Sequence, residues 1–144
     1  GVRDLHIGQP YAPVFLQGQT GSTFGLKHTE LMRKDSLDMD DTDRQVIVEA
    51  FKTASSQIII THGSDTMLET AEAIYSSGAG TNRTVVLTGS LLPAVMQKSD
   101  ADFQLGLALA ACTLRGSGIF IAMNGVFDWR ACKKDELTGQ FVRS

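Results

Sequence analysis

At 144 residues, 42% apolar and 20% charged, the chain has the composition of one folded domain with a single buried core, neither disordered nor membranous. Its net charge of −3 is spread over interspersed signs, which argues against a nucleic-acid groove or a polybasic membrane patch. No apolar run nears the roughly 20 residues needed to cross a bilayer, and residues 1–20 show no apolar segment behind a basic start, so the expected location is cytoplasmic.

Residues 1–24 are weakly patterned, with Pro10, Pro13, Gly18 and Gly21, and offer one short helix candidate at 11–17. Phe24 to Met32 alternates loosely and predicts a strand. Arg33 to Met39 is too polar to be buried, and Asp40, Asp41 and Asp43 then load a helix start with acid, favourable against the helix dipole. Val46, Ile47, Ala50 and Phe51 supply that helix with an apolar face. A buried strand over 57–61 precedes a helix over 65–77, whose Met67, Leu68, Ala71 and Ile74 share a face.

Thr84 to Thr88 is a second apolar strand, closed by Gly89 and Ser90. Ser99-x-x-Asp102 has capping-box spacing and opens a Leu- and Ala-rich helix running to about Leu114. A third strand, Gly118 to Met123, ends at Asn124-Gly125, and a polar tail follows with a short strand candidate at 140–142. Strands that are nearly all apolar and alternate with helices imply a doubly wound, mainly parallel α/β sheet covered on both faces. In such a sheet the loops after the strands gather along one edge, where ligands bind. That rule brings Ser36, the Ser64–Asp65 turn, the Gly89–Ser90 turn and the Asn124 loop toward one crevice.

The residues exclude several chemistries. Cys112 and Cys132 form no CxxC pair, Cys112 reads as a small buried hydrophobe, and His6, His28 and His62 lack metal-ligand spacing, so no metal site is expected. There is no P-loop ending after Thr88-Gly89-Ser90, and Gly63-Ser64 is not a Gly-x-Ser-x-Gly elbow. Ser64-Asp65-Thr66 at a strand-to-helix turn has two readings: a helix cap, or a set of ligand-facing groups beside unpaired backbone N–H donors. A serine hydroxyl activated by a lysine that a carboxylate orients would suit the second. Lys133 and Lys134 are the candidate lysines, although a Lys-Lys-Asp-Glu run also reads as solvated surface.

The segment Thr61-His62-Gly63-Ser64-Asp65-Thr66-Met67-Leu68-Glu69-Thr70-Ala71 resembles the Thr-His-Gly-Thr-Asp-Thr-Met-x-Glu-Thr-Ala signature of bacterial-type L-asparaginases. Lys34-Asp35-Ser36-Leu37-Asp38-Met39 resembles that family's substrate-binding serine segment. Val86 to Pro93 with Ser99-Asp100-Ala101, and Ile121 to Gly125 with Asp128 and Lys134, resemble two further blocks in the family's order. Together they cover about residues 31–142.

The resemblance implies a single domain over 1–144 of the asparaginase N-terminal type, without the family's C-terminal domain. It assigns catalysis to Ser64, Asp65 and Lys134, with Lys133 as the alternative lysine. Substrate binding falls to Asp35, Ser36, Gly63, Ser64, Asp65, Gly89 and Ser90. Ser36 would take the substrate α-carboxylate and Asp65 its α-amino group, while His62 reads as structural. No cofactor or metal is implied.

Three departures accompany the match. The Thr-Gly-Gly-Thr-Ile segment that ends the family's first strand has only a faint, late echo in Gln19-Thr20-Gly21-Ser22-Thr23, so that first strand is expected to be missing. Leu5 stands at the flexible-loop tyrosine, and Leu92 replaces the basic residue before Pro93. The expected activity is hydrolysis of L-asparagine or a similar ω-amide to the acid and ammonia. The rival expectation is a catalytically silent module of the same fold that binds an amino acid or dicarboxylate. A third is a structural subunit pairing through an open strand edge, and homo-oligomerisation is expected under any of them.

Overall fold

A computed structural model describes residues 3–7, 26–32, 34–90 and 100–144, with side chains described from residue 31 onward. The chain order is β1 (Arg3–Ile7), β2 (Leu26–Glu30), α1 (Asp41–Ala50), β3 (Gln57–Thr61), α2 (Met67–Ser76), β4 (Thr84–Thr88), α3 (Ala101–Leu114), β5 (Gly118–Ala122), β6 (Val126–Asp128), β7 (Cys132–Lys134) and β8 (Phe141–Arg143). The main sheet runs β2-β1-β3-β4-β5-β6. Its pairs are parallel except β5 with β6, and β7 with β8 forms a separate antiparallel hairpin.

Strand alternation splits the interior into two cores. Ile58, Ile60, Val85, Leu87, Ile119 and Ile121 face α1 and α2, packing on Ile47, Phe51, Met67, Ala71 and Ile74. The intervening Ile59, Val86, Phe120 and Ala122 face α3, packing on Leu105, Ala108, Ala111 and Cys112. Helices on both faces are therefore built into the residue order, because successive side chains in a strand point to opposite sides. All of β4 is buried, as expected at the centre of a doubly wound sheet.

The strands expected at 57–61 and 84–88 have the expected bounds, and the one expected at 118–123 runs from Gly118 to Ala122. The strand expected within 24–32 is β2, and that expected at 140–142 is β8. The helix expected from 65 begins with a 3-10 turn, Ser64–Thr66, before becoming α-helical at Met67. The helix expected after Ser99 starts at Ala101 with Asp100 at its N-cap, and Ser99 lies outside the described residues. So do the 11–17 helix candidate, Gln19–Thr23 and Leu92.

Several expectations are corrected. Val46 is 43% exposed, because α1 turns Ile47 and Arg44 inward instead. The polar loop before α1 is not wholly exposed: Ser36 is buried, in a 3-10 turn over Ser36–Asp38. The far side of β3 is not an open edge. It pairs with β1, from Asp4 opposite Ile58 to Ile7 opposite Thr61, which removes that edge as a reason for self-association.

Candidate active site

Each candidate side chain is set in place by ordinary local chemistry. Asp35 caps the turn that carries Ser36, its Oδ1 accepting from the Leu37 N–H at 2.9 Å. Lys34 ties this loop to α1 through Asp43, at 3.0 and 2.9 Å from its two carboxylate oxygens. Asp43 also closes a reciprocal capping box with Asp40. The hydrogen bond from Lys34 holds the Asp43 carboxyl below the usual carboxylate range, and the same bond raises Lys34.

Ser36 then sits against Gly63. A Cβ on Gly63 would lie 2.6 Å from Ser36 Oγ and 2.8 Å from its Cβ, so the glycine makes room for the serine. Thr66 locks the two loops together by donating to the Ser36 carbonyl at 2.8 Å. Ser36 Oγ is buried with no hydrogen-bond partner among the described residues. Leaving a hydroxyl in that state costs about 1–3 kcal/mol, so it calls for a partner.

Lys134 arrives from the far end of the chain. It closes β7, where its partner across the hairpin is the buried Phe141. The turn before β7, Trp129–Ala131, is anchored on α2, with the Arg130 guanidinium 3.8 Å from the Tyr75 ring centroid. After β7 the chain turns back through Asp135, whose carboxylate accepts from the Leu137 N–H at 2.9 Å and is held below its ordinary range mainly by that bond. So placed, Lys134 Nζ donates to Ser64 Oγ at 2.9 Å and to Asp65 Oδ1 at 2.6 Å. Lys133, the alternative, is on the exposed side of the hairpin. The Cys132 thiol, buried nearby, is pushed up to about 11 by burial and by Asp128, which leaves it protonated and unreactive at neutral pH.

The predicted residues do not all meet in one cluster. Ser36, Gly63, Ser64, Asp65 and Lys134 form one continuous group, with Asp35 exposed at its margin capping the Ser36 turn. Gly89 closes on the same turn from beneath, since a Cβ there would run into the His62 carbonyl, and Ser90 follows it at the end of β4. The Asn124 loop belongs to another network. Asn124, in the left-handed region at φ 54°, donates its N–H to Gln104 Oε1 at 2.8 Å, and Gln104 Nε2 reaches Asn124 Oδ1 at 2.5 Å. Among the described residues no group of His, Cys, Asp and Glu is arranged to hold a metal ion, and no helix is long and apolar enough to cross a membrane.

One contributor was not anticipated from the sequence, and a second, in a turn that was, makes contacts the sequence does not show. Gln104 is fully buried and bridges Asn124 and Asp100, the latter at 3.1 Å. Its signal was its spacing, since it shares the inward face of α3 with Ala108, Ala111 and Cys112. Thr88 Oγ1 lies 2.8 Å from the Ala122 carbonyl and 3.2 Å from that of Gln104, tying β4, β5 and α3 together.

His62 is buried below the turn, and burial is the main force lowering its affinity for a proton from the ordinary imidazole value. Arg44 acts in the same direction, while the Gly63 carbonyl and Glu69 oppose it. An unfolded chain therefore binds the His62 proton more readily than the folded one. Stability is full above the unfolded pKa of about 6.5 and is lost as pH falls from there toward the folded value. Chemical denaturation between pH 7.5 and 5 should show stability declining toward acid, at no more than about 1.4 kcal/mol per pH unit from this group. An H62N variant should lose that part of the slope. The carboxylate contributions from Asp43 and Asp135 fall in a separate window, below about pH 4.

Comparison with known proteins shows which family the chain is similar to. Over 98 residues the chain is 35% identical to an L-asparaginase from Thermococcus kodakarensis, an alignment covering 62% of this chain and 30% of that protein. Over 92 residues it is 30% identical to a glutamyl-tRNA(Gln) amidotransferase subunit from Methanococcus vannielii, covering 64% of this chain and 21% of that one. The chain thus spans less than a third of the length of either relative. Residues 13–135, most of the sequence, match the profile of the asparaginase N-terminal domain, and with the doubly wound sheet this shows that the chain belongs to the asparaginase family.

Proposed function

We propose that this chain hydrolyses the side-chain amide of L-asparagine or a similar ω-amide amino acid, with Ser64 as nucleophile, Lys134 as its base and Asp65 orienting the lysine. The observation that carries this is the placement of one Lys134 ammonium within hydrogen-bond reach of both Ser64 Oγ and the Asp65 carboxylate. The reading of Ser64–Asp65 as a mere helix cap is disfavoured, since Gly63 is the N-cap of that turn and Thr66 of α2, and neither makes a side-chain cap bond.

In the resting state Lys134 is the donor to both neighbours. For attack it must first release a proton to solvent, which reaches both it and the half-exposed Asp65. Ser64 Oγ then bonds to the amide carbon while its proton passes to the lysine. Collapse of the tetrahedral adduct breaks the C–N bond, and the Lys134 proton leaves on the amine as ammonia. Water attacks the resulting ester, giving the ω-carboxylic acid and regenerating Ser64. Backbone N–H groups of the Ser64–Thr66 turn would face the developing oxyanion.

Ser36, whose hydroxyl has no partner among the described residues, would take the substrate α-carboxylate, and Asp65 the α-ammonium. Asp35, Gly63, Gly89 and Ser90 would frame them. This reading carries with it a small-molecule substrate, no cofactor, a cytoplasmic location and self-association, the last of which size-exclusion chromatography reads directly.

The relative named as an L-asparaginase makes asparagine the first substrate to assay, and the one named for glutamyl-tRNA(Gln) amidotransferase makes glutamine the second. Ammonia release from either amide, with aspartate competing, is the expected result. Tight binding of aspartate by calorimetry without turnover of either amide would instead support the amino-acid-binding module. A folded protein that neither binds nor turns over these compounds sinks both.

A further inference from the structure

The Ser64 turn has an unusual requirement. Gly63 has to be glycine because Ser36 occupies the space its Cβ would need, yet glycine is the least constrained residue and has no side chain with which to cap the turn. Its φ of −61° and ψ of 141° must therefore be held from outside. The ring of His62 does this. His62 Nδ1 lies 2.6 Å from the Gly63 carbonyl oxygen, and His62 Nε2 lies 2.7 Å from Thr70 Oγ1 on α2. The residue is itself fixed at its backbone, where its N–H donates to the Thr88 carbonyl at 2.8 Å.

We propose that His62 is a positioning residue for Ser64, acting through the Gly63 carbonyl, with Thr70 holding the other edge of the ring. The inference rests on the proposed role of Ser64 as nucleophile. The protonation pattern follows from the partners. A carbonyl oxygen only accepts, so Nδ1 carries the hydrogen. In the neutral ring Nε2 is then an acceptor, and the Thr70 hydroxyl donates to it. The peptide joining Gly63 to Ser64 is planar and trans, so fixing its oxygen also fixes the opposite direction of the Ser64 N–H and the start of the turn that aims Oγ at Lys134.

Among the described residues the charged groups around the ring are Arg44 from α1 and Glu69 from α2, of opposite sign, while burial opposes charge on the imidazole. A neutral ring keeps the arrangement intact. A charged one would turn Nε2 into a donor and force the Thr70 hydroxyl to rotate.

Two substitutions separate positioning from simple packing. Asparagine at 62 places an amide nitrogen near Nδ1 and keeps a donor for the Gly63 carbonyl, whereas glutamine reaches toward the Nε2 position and leaves that carbonyl unheld. Both remove ring volume from the same buried site and both retain the backbone bond to Thr88.

With asparagine as substrate, H62Q should lose on the order of 10²-fold in kcat with KM changed less than about 3-fold, whereas H62N should stay within about 10-fold of the parent. Melting temperatures of the two variants should fall by similar amounts. A kcat loss that is equal in both, or that follows melting temperature, overturns the proposal. If the parent itself turns over no ω-amide, it is the proposed function that has failed. The positioning is then read from the Ser64 amide by NMR. H62Q should shift its resonance and speed its hydrogen exchange while H62N leaves both near the parent values, and an unmoved Ser64 amide in H62Q overturns it.

Discussion

Replacing Lys134 with methionine should reduce turnover by on the order of 10³-fold while leaving the fold nearly as stable as before. The kinetic loss follows from removing the group proposed to take the Ser64 proton, a role that contributes about 10²–10⁴-fold in rate where a positioned base performs it. The small stability cost follows from exposure. The Lys134 and Asp65 side chains are 23% and 47% accessible, so solvent screens their ion pair and its loss should cost no more than about 1 kcal/mol. Methionine keeps most of the apolar stem, which preserves the packing beside Phe141. Steady-state kinetics and a melting curve on the same preparation give the answer. A K134M protein with parental kcat would remove the lysine from the mechanism, and one that fails to fold would show that the hairpin depends on the pair.

The second large effect is on stability. Gly89→Ala should destabilise the domain by about 1–3 kcal/mol or more, because the added methyl is driven into the His62 carbonyl, with the Met67 methyl 3.5 Å away on another side. A main-chain carbonyl between β3 and its turn has no rotamer to escape into, so strand and turn must part. For a domain of this length that corresponds to a fall of roughly 3–12 °C in melting temperature. Gly106→Ala is the matched control. A Cβ there meets nothing within 4 Å, and α3 gains a better helix former, so that variant should gain about 0.5–1 kcal/mol. Should G89A melt with or above the parent, the close approach of Gly89 to His62 would be wrong.

Much of the fold was legible because its central strands carry unbroken apolar runs. Gln57–Thr61 and Thr84–Thr88 could be bounded to the residue, since a buried parallel strand has no need of alternation and ends where the polar turn begins. β6 and β7 were missed for the complementary reason. Val126–Asp128 and Cys132–Lys134 are three residues each, too short for periodicity to register, and their existence depends on partners far away in sequence or on a hairpin closed by tertiary contacts.

The site divides in the same way. Ser64 and Asp65 stood out because hydroxyl and carboxylate followed a strand directly. The resemblance assigned Lys134 with Lys133 as the alternative, and the hairpin sets these neighbours on opposite sides, Lys134 toward Ser64 and Asp65. That Ser36 is buried within a run of charged residues was not readable either. It results from a glycine at 63 that leaves space for it, a complementarity between loops 27 residues apart that neither loop states alone.

The hairpin that delivers Lys134 also bears on synthesis and quality control. The proposed base stands 70 residues after the hydroxyl it contacts, and it is placed by a two-stranded element outside the main sheet. A nascent chain that has completed β5 already has the full signature around Ser64 and the central strands of its sheet, yet lacks the lysine proposed to activate the serine. On the proposed mechanism, Lys134 reaches Ser64 only once β7 has paired with β8, which carries Phe141, and the Arg130–Tyr75 stack has closed. On that mechanism, chains clipped before β7 would be silent, and the final piece of the fold to arrive would switch the site on.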